Sequence, residues 1–129
     1  TSSDVAQAAF DRGLVWLYGY NHEAAADAFA EAAVADPRCG AALRGLAYAI
    51  GPNYNKPWEF FEADERKATL ERAHAAIGQA MELRESLTAV EADLISALAE
   101  HHGSSGSLRA ENRRRAQRRV KPRQRLRRR

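Results

Sequence analysis

Between His22 and Ala35 the apolar residues Ala25, Ala28, Phe29, Ala32 and Ala33 recur at i, i+3, i+4, i+7 and i+8, the spacing that lines one face of an α-helix. All but one of them are alanine. A methyl group buries so little surface that such a stripe stabilises a fold only when a second backbone approaches closely enough to touch it. The sequence therefore demands closely packed helices. A sheet would need alternating β-branched and aromatic residues, whereas Val and Ile are scarce and Thr occurs three times. An all-α fold is expected.

Four further segments show helical spacing, divided by Gly, Pro and Asn. Ser2, Ser3 and Asp4 offer N-cap oxygens to a first helix with apolar positions Val5, Ala8, Ala9, Leu14 and Val15, broken near Gly19, Tyr20 and Asn21. The alanine-striped second helix stops at Asp36 and Pro37. Leu43, Leu46, Ala47 and Ile50 mark a third helix over 40–50, closed by Gly51 and Pro52. Residues 51–62, with two Pro, two Asn and the aromatics Trp58, Phe60 and Phe61, predict an ordered loop. Leu70, Ala73, Ile77, Ala80 and Met81 define a fourth helix over 63–83. Thr88 and Glu91 form a capping-box signature before Val90, Leu94, Ile95 and Leu98 of a fifth, which ends near His101, His102 and Gly103.

The net charge of +3 hides two parts of opposite sign. Residues 1–103 hold 8 Lys+Arg against 16 Asp+Glu, a net of −8, and residues 104–129 hold 12 against the lone Glu111, a net of +11. Two regions follow: a helical domain over 1–103, and a Gly/Ser linker with an Arg-rich tail over 104–129. With Leu108, Val120 and Leu126 almost its only apolar residues, the tail cannot build a core, and disorder is expected unless an anionic surface neutralises it.

An internal period emerges when the helix pairs are compared. Gly13, Trp16, Ala25, Phe29, Ala32 and Pro37 follow one another at steps of 3, 9, 4, 3 and 5. Leu43, 34 residues after Ala9, opens a second unit with Leu46, Ala47 and Ile50, then Ala73, Ile77 and Ala80. This pattern resembles the tetratricopeptide repeat, with Ala9 and Arg12 where the family usually has Trp and Leu. About 14 residues are inserted between the helices of the second unit. The resemblance covers roughly residues 4–101 and implies antiparallel hairpins stacked as a short right-handed solenoid of about 2.5 repeats, five helices in all. In the family, small residues let the helices of a hairpin approach, and aromatics, here Trp16 and Phe29, fill the space that is left.

The resemblance also implies a protein-interaction scaffold whose concave groove binds a peptide or partner protein. The matching groove positions are Gln7, Phe10, Asp11, Leu14, Arg44 and Tyr48, and Trp58 from the insertion is placed to cover the groove. Asp11 and the acidic body favour a basic peptide. Trp58, Phe60 and Phe61 are otherwise expected to plug a hydrophobic gap, because three exposed aromatics make a costly patch. A fifth helix without its hairpin partner implies a homodimer or a longer chain.

The alternative reading is nucleic-acid or other polyanion binding by the tail. Arg113, Arg114, Arg115, Arg118, Arg119, Lys121, Arg123, Arg127, Arg128 and Arg129 offer guanidinium forks and one ammonium for phosphates, without aromatics for base stacking. A targeting signal, an intramolecular strap over the acidic body and a segment foreign to the native protein stand beside it.

Catalysis is not expected. His22 and Glu23 lack a second histidine at residue 26, which is alanine. His74 lies in a helix, where a lone imidazole packs or faces solvent, and His101 and His102 close a helix without a carboxylate or thiol at ligand spacing. Cys39 has no base at suggestive spacing. No cofactor and no metal are expected. A single cysteine, no apolar run long enough to cross a membrane and no secretory leader point to the cytoplasm.

Overall fold

A computed structural model describes residues 1–53 and 56–102. Among them the chain forms five α-helices, two single turns of 3-10 helix and no strand. The linker and the arginine tail beyond 102 lie outside the described residues.

Helix α1 (Asp4–Tyr18) is capped by Ser3, whose side-chain oxygen accepts a 3.2 Å hydrogen bond from the Ala6 N–H. At its other end the Tyr20 N–H donates to the Leu17 carbonyl (3.1 Å) and the Asn21 N–H to that of Trp16 (2.9 Å). This is the Schellman closure, which places one residue in the left-handed region, usually glycine. Here that residue is Tyr20, at φ 60°, while Gly19 one position earlier has φ −78°. Asn21 then caps helix α2 (His22–Ala35) by accepting from the Ala24 N–H at 3.1 Å. One three-residue turn thus ends one helix and starts the next.

Helices α3 (Gly40–Ile50) and α4 (Ala63–Glu82) follow, then α5 over 89–102. Residues 1–99 form one compact unit. Within it α1 packs on α2, α2 on α3 and α3 on α4, with a lighter contact between α1 and α3. Residues 100–102, the end of α5, group with the C-terminal part of the chain; there the rings of His101 and His102 meet edge to face at 5.8 Å.

The alanine stripe is buried as its spacing requires: Ala25, Ala28, Phe29 and Ala32 are inside, and Ala26 joins them. Phe29 sits in a core with Ala25, Leu46, Ala47, Ala73 and Ile77, while Leu43, Ala80 and Ile95 tie α5 to α3 and α4. Helix α1 turns inward only part of the expected series. Ala9 is buried, together with Ala6 and Gly13, and Leu14 is half-buried, whereas Ala8 is exposed and Val5 and Val15 are 64% and 69% exposed. The small residues win because only they let the α1 backbone reach Phe29. Trp16, expected to fill that space, is 43% exposed: with Gly13 against the Phe29 ring there is no gap left for an indole.

The loop after α3 is described at residues 51–53 and 56–62. Asn53 and Lys56 exchange backbone hydrogen bonds at 3.2 Å each. The Lys56 ammonium lies 4.4 Å from the centre of the Phe61 ring and pairs with Glu65; that contact holds the Glu65 carboxyl below its usual pKa. The Trp58 and Phe61 rings meet at 4.9 Å and a tilt of 52°, both half-buried. Phe60 departs from the expected plug: it lies on the 3-10 turn Trp58–Phe60 and faces water.

The capping box forms as its signature requires. The Thr88 N–H donates to Glu91 Oε2 (3.1 Å) and the Glu91 N–H to Thr88 Oγ1 (3.3 Å), while the Thr88 hydroxyl donates to Glu91 Oε2 at 2.7 Å. The hydroxyl bond first, then the backbone bond, holds the Glu91 carboxyl below its ordinary pKa. A carboxylate depressed on folding contributes stability that is complete above its unfolded pKa of about 4.3 and is lost as pH falls through the lower folded value. Glu91→Gln is therefore expected to flatten the pH dependence of unfolding below about pH 4.5, and Thr88→Ala to cost about 1 kcal/mol at neutral pH. Urea titrations at a series of pH values check both, and an unchanged acid limb in Glu91→Gln would remove this account.

Candidate functional site

Helices α1 and α3 and the two turns beside them enclose an open pocket of about 490 Å3. Its apolar wall is built from α1, where Phe10, Leu14 and Leu17 recur at helical spacing, with the edge of Phe29 behind them. The Phe10 and Phe29 rings meet at 5.5 Å and 52°. From α3 come Ala41, Arg44, Gly45 and Tyr48, again one face of a helix. Tyr18, Tyr20 and His22 close one end, and Pro52 and Asn53 another.

Three features give the pocket chemical character. Tyr18, Tyr20 and Tyr48 offer large, mainly exposed rings with hydroxyl tips, Tyr20 at 73% and Tyr48 at 51% exposure. Such amphipathic groups supply contact area at low entropic cost. Tyr20 is also held in a backbone conformation that costs a non-glycine residue about 1–2 kcal/mol. Arg44 is the pocket's single Lys or Arg, and none of the lining residues is a carboxylate. Its Nε is out of contact with water and has no hydrogen-bond partner, and among the described residues no carboxylate lies within ion-pairing distance of it.

Four of the expected groove residues, Phe10, Leu14, Arg44 and Tyr48, come together in this pocket. Gln7 and Asp11 do not line it; they lie one turn apart on the exposed surface of α1, joined by a 2.8 Å hydrogen bond from Gln7 Nε2 to Asp11 Oδ1. Trp58 is also outside the lining and packs on Phe61 instead. The insertion does reach the pocket, but through Pro52 and Asn53. The polyanion-binding arginines lie outside the described residues.

No protein-family model matches this chain, and neither a curated protein nor a solved structure matches it significantly.

Leu17, Tyr18, Tyr20, His22, Pro52 and Asn53 were not marked by the repeat pattern, since they sit at helix ends and turns whose direction periodicity does not encode. The Gly19, Tyr20, Asn21 break was visible, but which of the three takes the left-handed conformation was not. Elsewhere, Cys39 is buried as a free thiol. It lines a second pocket of about 410 Å3 together with Thr1, Asp36, Arg38, Leu87 and Glu91, and no histidine lines it. Among the described residues no three His, Cys, Asp or Glu side chains are grouped as metal ligands, and no helix is long and apolar enough to cross a membrane.

Proposed function

We propose that this protein is a non-enzymatic interaction module of tetratricopeptide-like architecture that docks a peptide segment of a partner protein in the pocket between α1 and α3. The observation that carries this reading is the tyrosine-rimmed apolar pocket, and above all Tyr20. Glycine or asparagine would close the α1–α2 turn with less strain, so an exposed tyrosine there costs stability without filling the core. Such a residue is explained by contact with something else. The serial packing of α1 to α4 and the 34-residue period favour a right-handed solenoid with this pocket on its concave side. A cytoplasmic setting belongs to the same proposal, as does pairing with a second copy through the exposed Val90 and Leu94 of α5.

The second reading, polyanion binding by the arginine tail, is favoured by its net charge of +11. One experiment separates the two. Peptides selected by display on the full chain are titrated against the native protein and Tyr48→Ala. Tyr48 is half exposed, so its truncation leaves the fold intact, and an aromatic anchor of this kind is expected to be worth tenfold or more in affinity. Binding through the tail would instead ignore Tyr48 and collapse steeply between 50 and 200 mM salt, a loss of about a thousandfold or more for six or more phosphate-like contacts. Selected ligands of that second kind alone would overturn the pocket reading.

A further inference from the structure

We infer that Arg44 makes the pocket selective for a peptide carrying one acidic side chain beside a large apolar one. This rests on the reading of the pocket as a peptide-docking site and runs against the basic partner expected from Asp11, which lies outside it.

The argument begins with the state of the guanidinium. Arginine stays protonated under all ordinary conditions and carries five donors. In this fold the pocket lining offers the Arg44 guanidinium no carboxylate, and its Nε–H, which has no acceptor, has no surface open to solvent. The terminal Nη–H groups are therefore the part of the fork that a ligand reaches. A carboxylate seated there would accept two parallel hydrogen bonds from them, the end-on pairing that suits both planar groups. The same seat turns a cation away, since it would bring like charges together in a site walled by Phe10 and Leu14.

The number of acidic groups is set as well. The lining has a single Lys or Arg, and residues 1–103 carry a net charge of −8. A second or third carboxylate on the ligand would find no partner cation in the pocket. The apolar neighbour follows from Phe10, Leu14 and Leu17, whose surface stays in water until a side chain covers it.

The test uses the full chain, labelled with nitrogen-15, and three peptides of equal size: acetyl-Phe-Glu-Leu-amide, its Gln counterpart and its Lys counterpart. Nuclear magnetic resonance titrations follow the Arg44 Nε–H and the amides of Leu14 and Tyr48. The Glu peptide is expected to bind at least tenfold more tightly than the Gln peptide, to shift the Arg44 Nε–H, and to exceed the Lys peptide by more. In Arg44→Gln, whose folding is checked by thermal unfolding, the Glu and Gln peptides should bind alike. Attraction to the arginine tail would favour Glu in both proteins and leave the pocket amides unmoved. Equal binding of Glu and Gln at the pocket amides of the native chain would overturn the role of Arg44 while leaving peptide docking intact. Tighter binding of Lys would overturn it too, and so would a Glu preference that survives Arg44→Gln. No response at the pocket amides to any of the three would sink this inference, and docking itself is judged separately by the Tyr48→Ala comparison on display-selected peptides.

Discussion

Phe29→Ala is expected to lower the stability of the protein by about 3–5 kcal/mol, the largest effect of any single truncation in the chain. Among the described residues Phe29 and Ile95 are the largest fully enclosed side chains, and Phe29 is the larger of the two. Its ring faces Gly13 of α1, Gly45 of α3 and the ring of Phe10. Ala25, Ala26, Ala47 and Ala73 share its cluster and have no rotamers with which to refill a void, which leaves Leu46, Ile77 and Phe10 to lean in. Much of the cavity would therefore persist, and its cost adds to the lost transfer energy. Against the roughly 5–15 kcal/mol that hold a domain together, the loss is large, and a fall in Tm of at least about 12 °C should accompany it. Urea unfolding measures it directly. A loss below about 1.5 kcal/mol would mean that Phe29 is not the centre of the packing.

The second large effect comes from adding an atom rather than removing several. A Cβ at Gly45 would stand 2.8 Å from the Phe29 ring and one at Gly13 would stand 2.6 Å from it, well inside carbon–carbon contact. The ring is fully enclosed and cannot step aside. Either glycine-to-alanine change is expected to cost about 1–3 kcal/mol through overpacking, even after the gain of up to about 1 kcal/mol that alanine brings to a helix interior. Gly78 supplies the control. It is exposed in the middle of α4 with nothing within 4 Å of an added Cβ, so Gly78→Ala should stabilise by about 0.5–1 kcal/mol. Opposite signs at Gly45 and Gly78 isolate the contact from helix propensity. Combining Gly45→Ala with Phe29→Leu should cost less than the two changes summed, since each relieves the other.

These two predictions explain why the core is built largely of alanine and glycine. One bulky ring occupies the junction of α1, α2 and α3, and the positions pressed against it on α1 and α3, Gly13 and Gly45, carry no side chain. The same arrangement fixes the functional geometry. Because Gly13 brings α1 against Phe29, the next residues on that face, Phe10, Leu14 and Leu17, are carried to the mouth of the pocket. Arg44 and Tyr48 reach it because Gly45, between them, seats α3 on the same ring.

Much of this was written in local order. Helix limits near Tyr18, Ala35 and Ile50, the Ser3 and Asn21 caps and the Thr88–Glu91 box follow from backbone hydrogen bonds within four or five residues, so the chain specifies them without reference to its fold. The burial of Ala25, Ala28, Phe29 and Ala32 was equally legible, because their spacing gathers them around Phe29, the one aromatic ring of the Phe, Tyr or Trp kind in α2. Helix α1 offers two competing faces. Val5, Ala8 and Val15 lie on one side and Ala6, Ala9 and Gly13 on another, and hydrophobicity alone prefers the larger residues. Only the tertiary structure decided between them, because the choice depends on how near a neighbouring ring can come. It also decided that Trp16 faces water and that the Nε–H of Arg44 is left without an acceptor. Each of those outcomes is a property of atoms brought together from distant parts of the chain, and periodicity carries information only about atoms one or two turns apart.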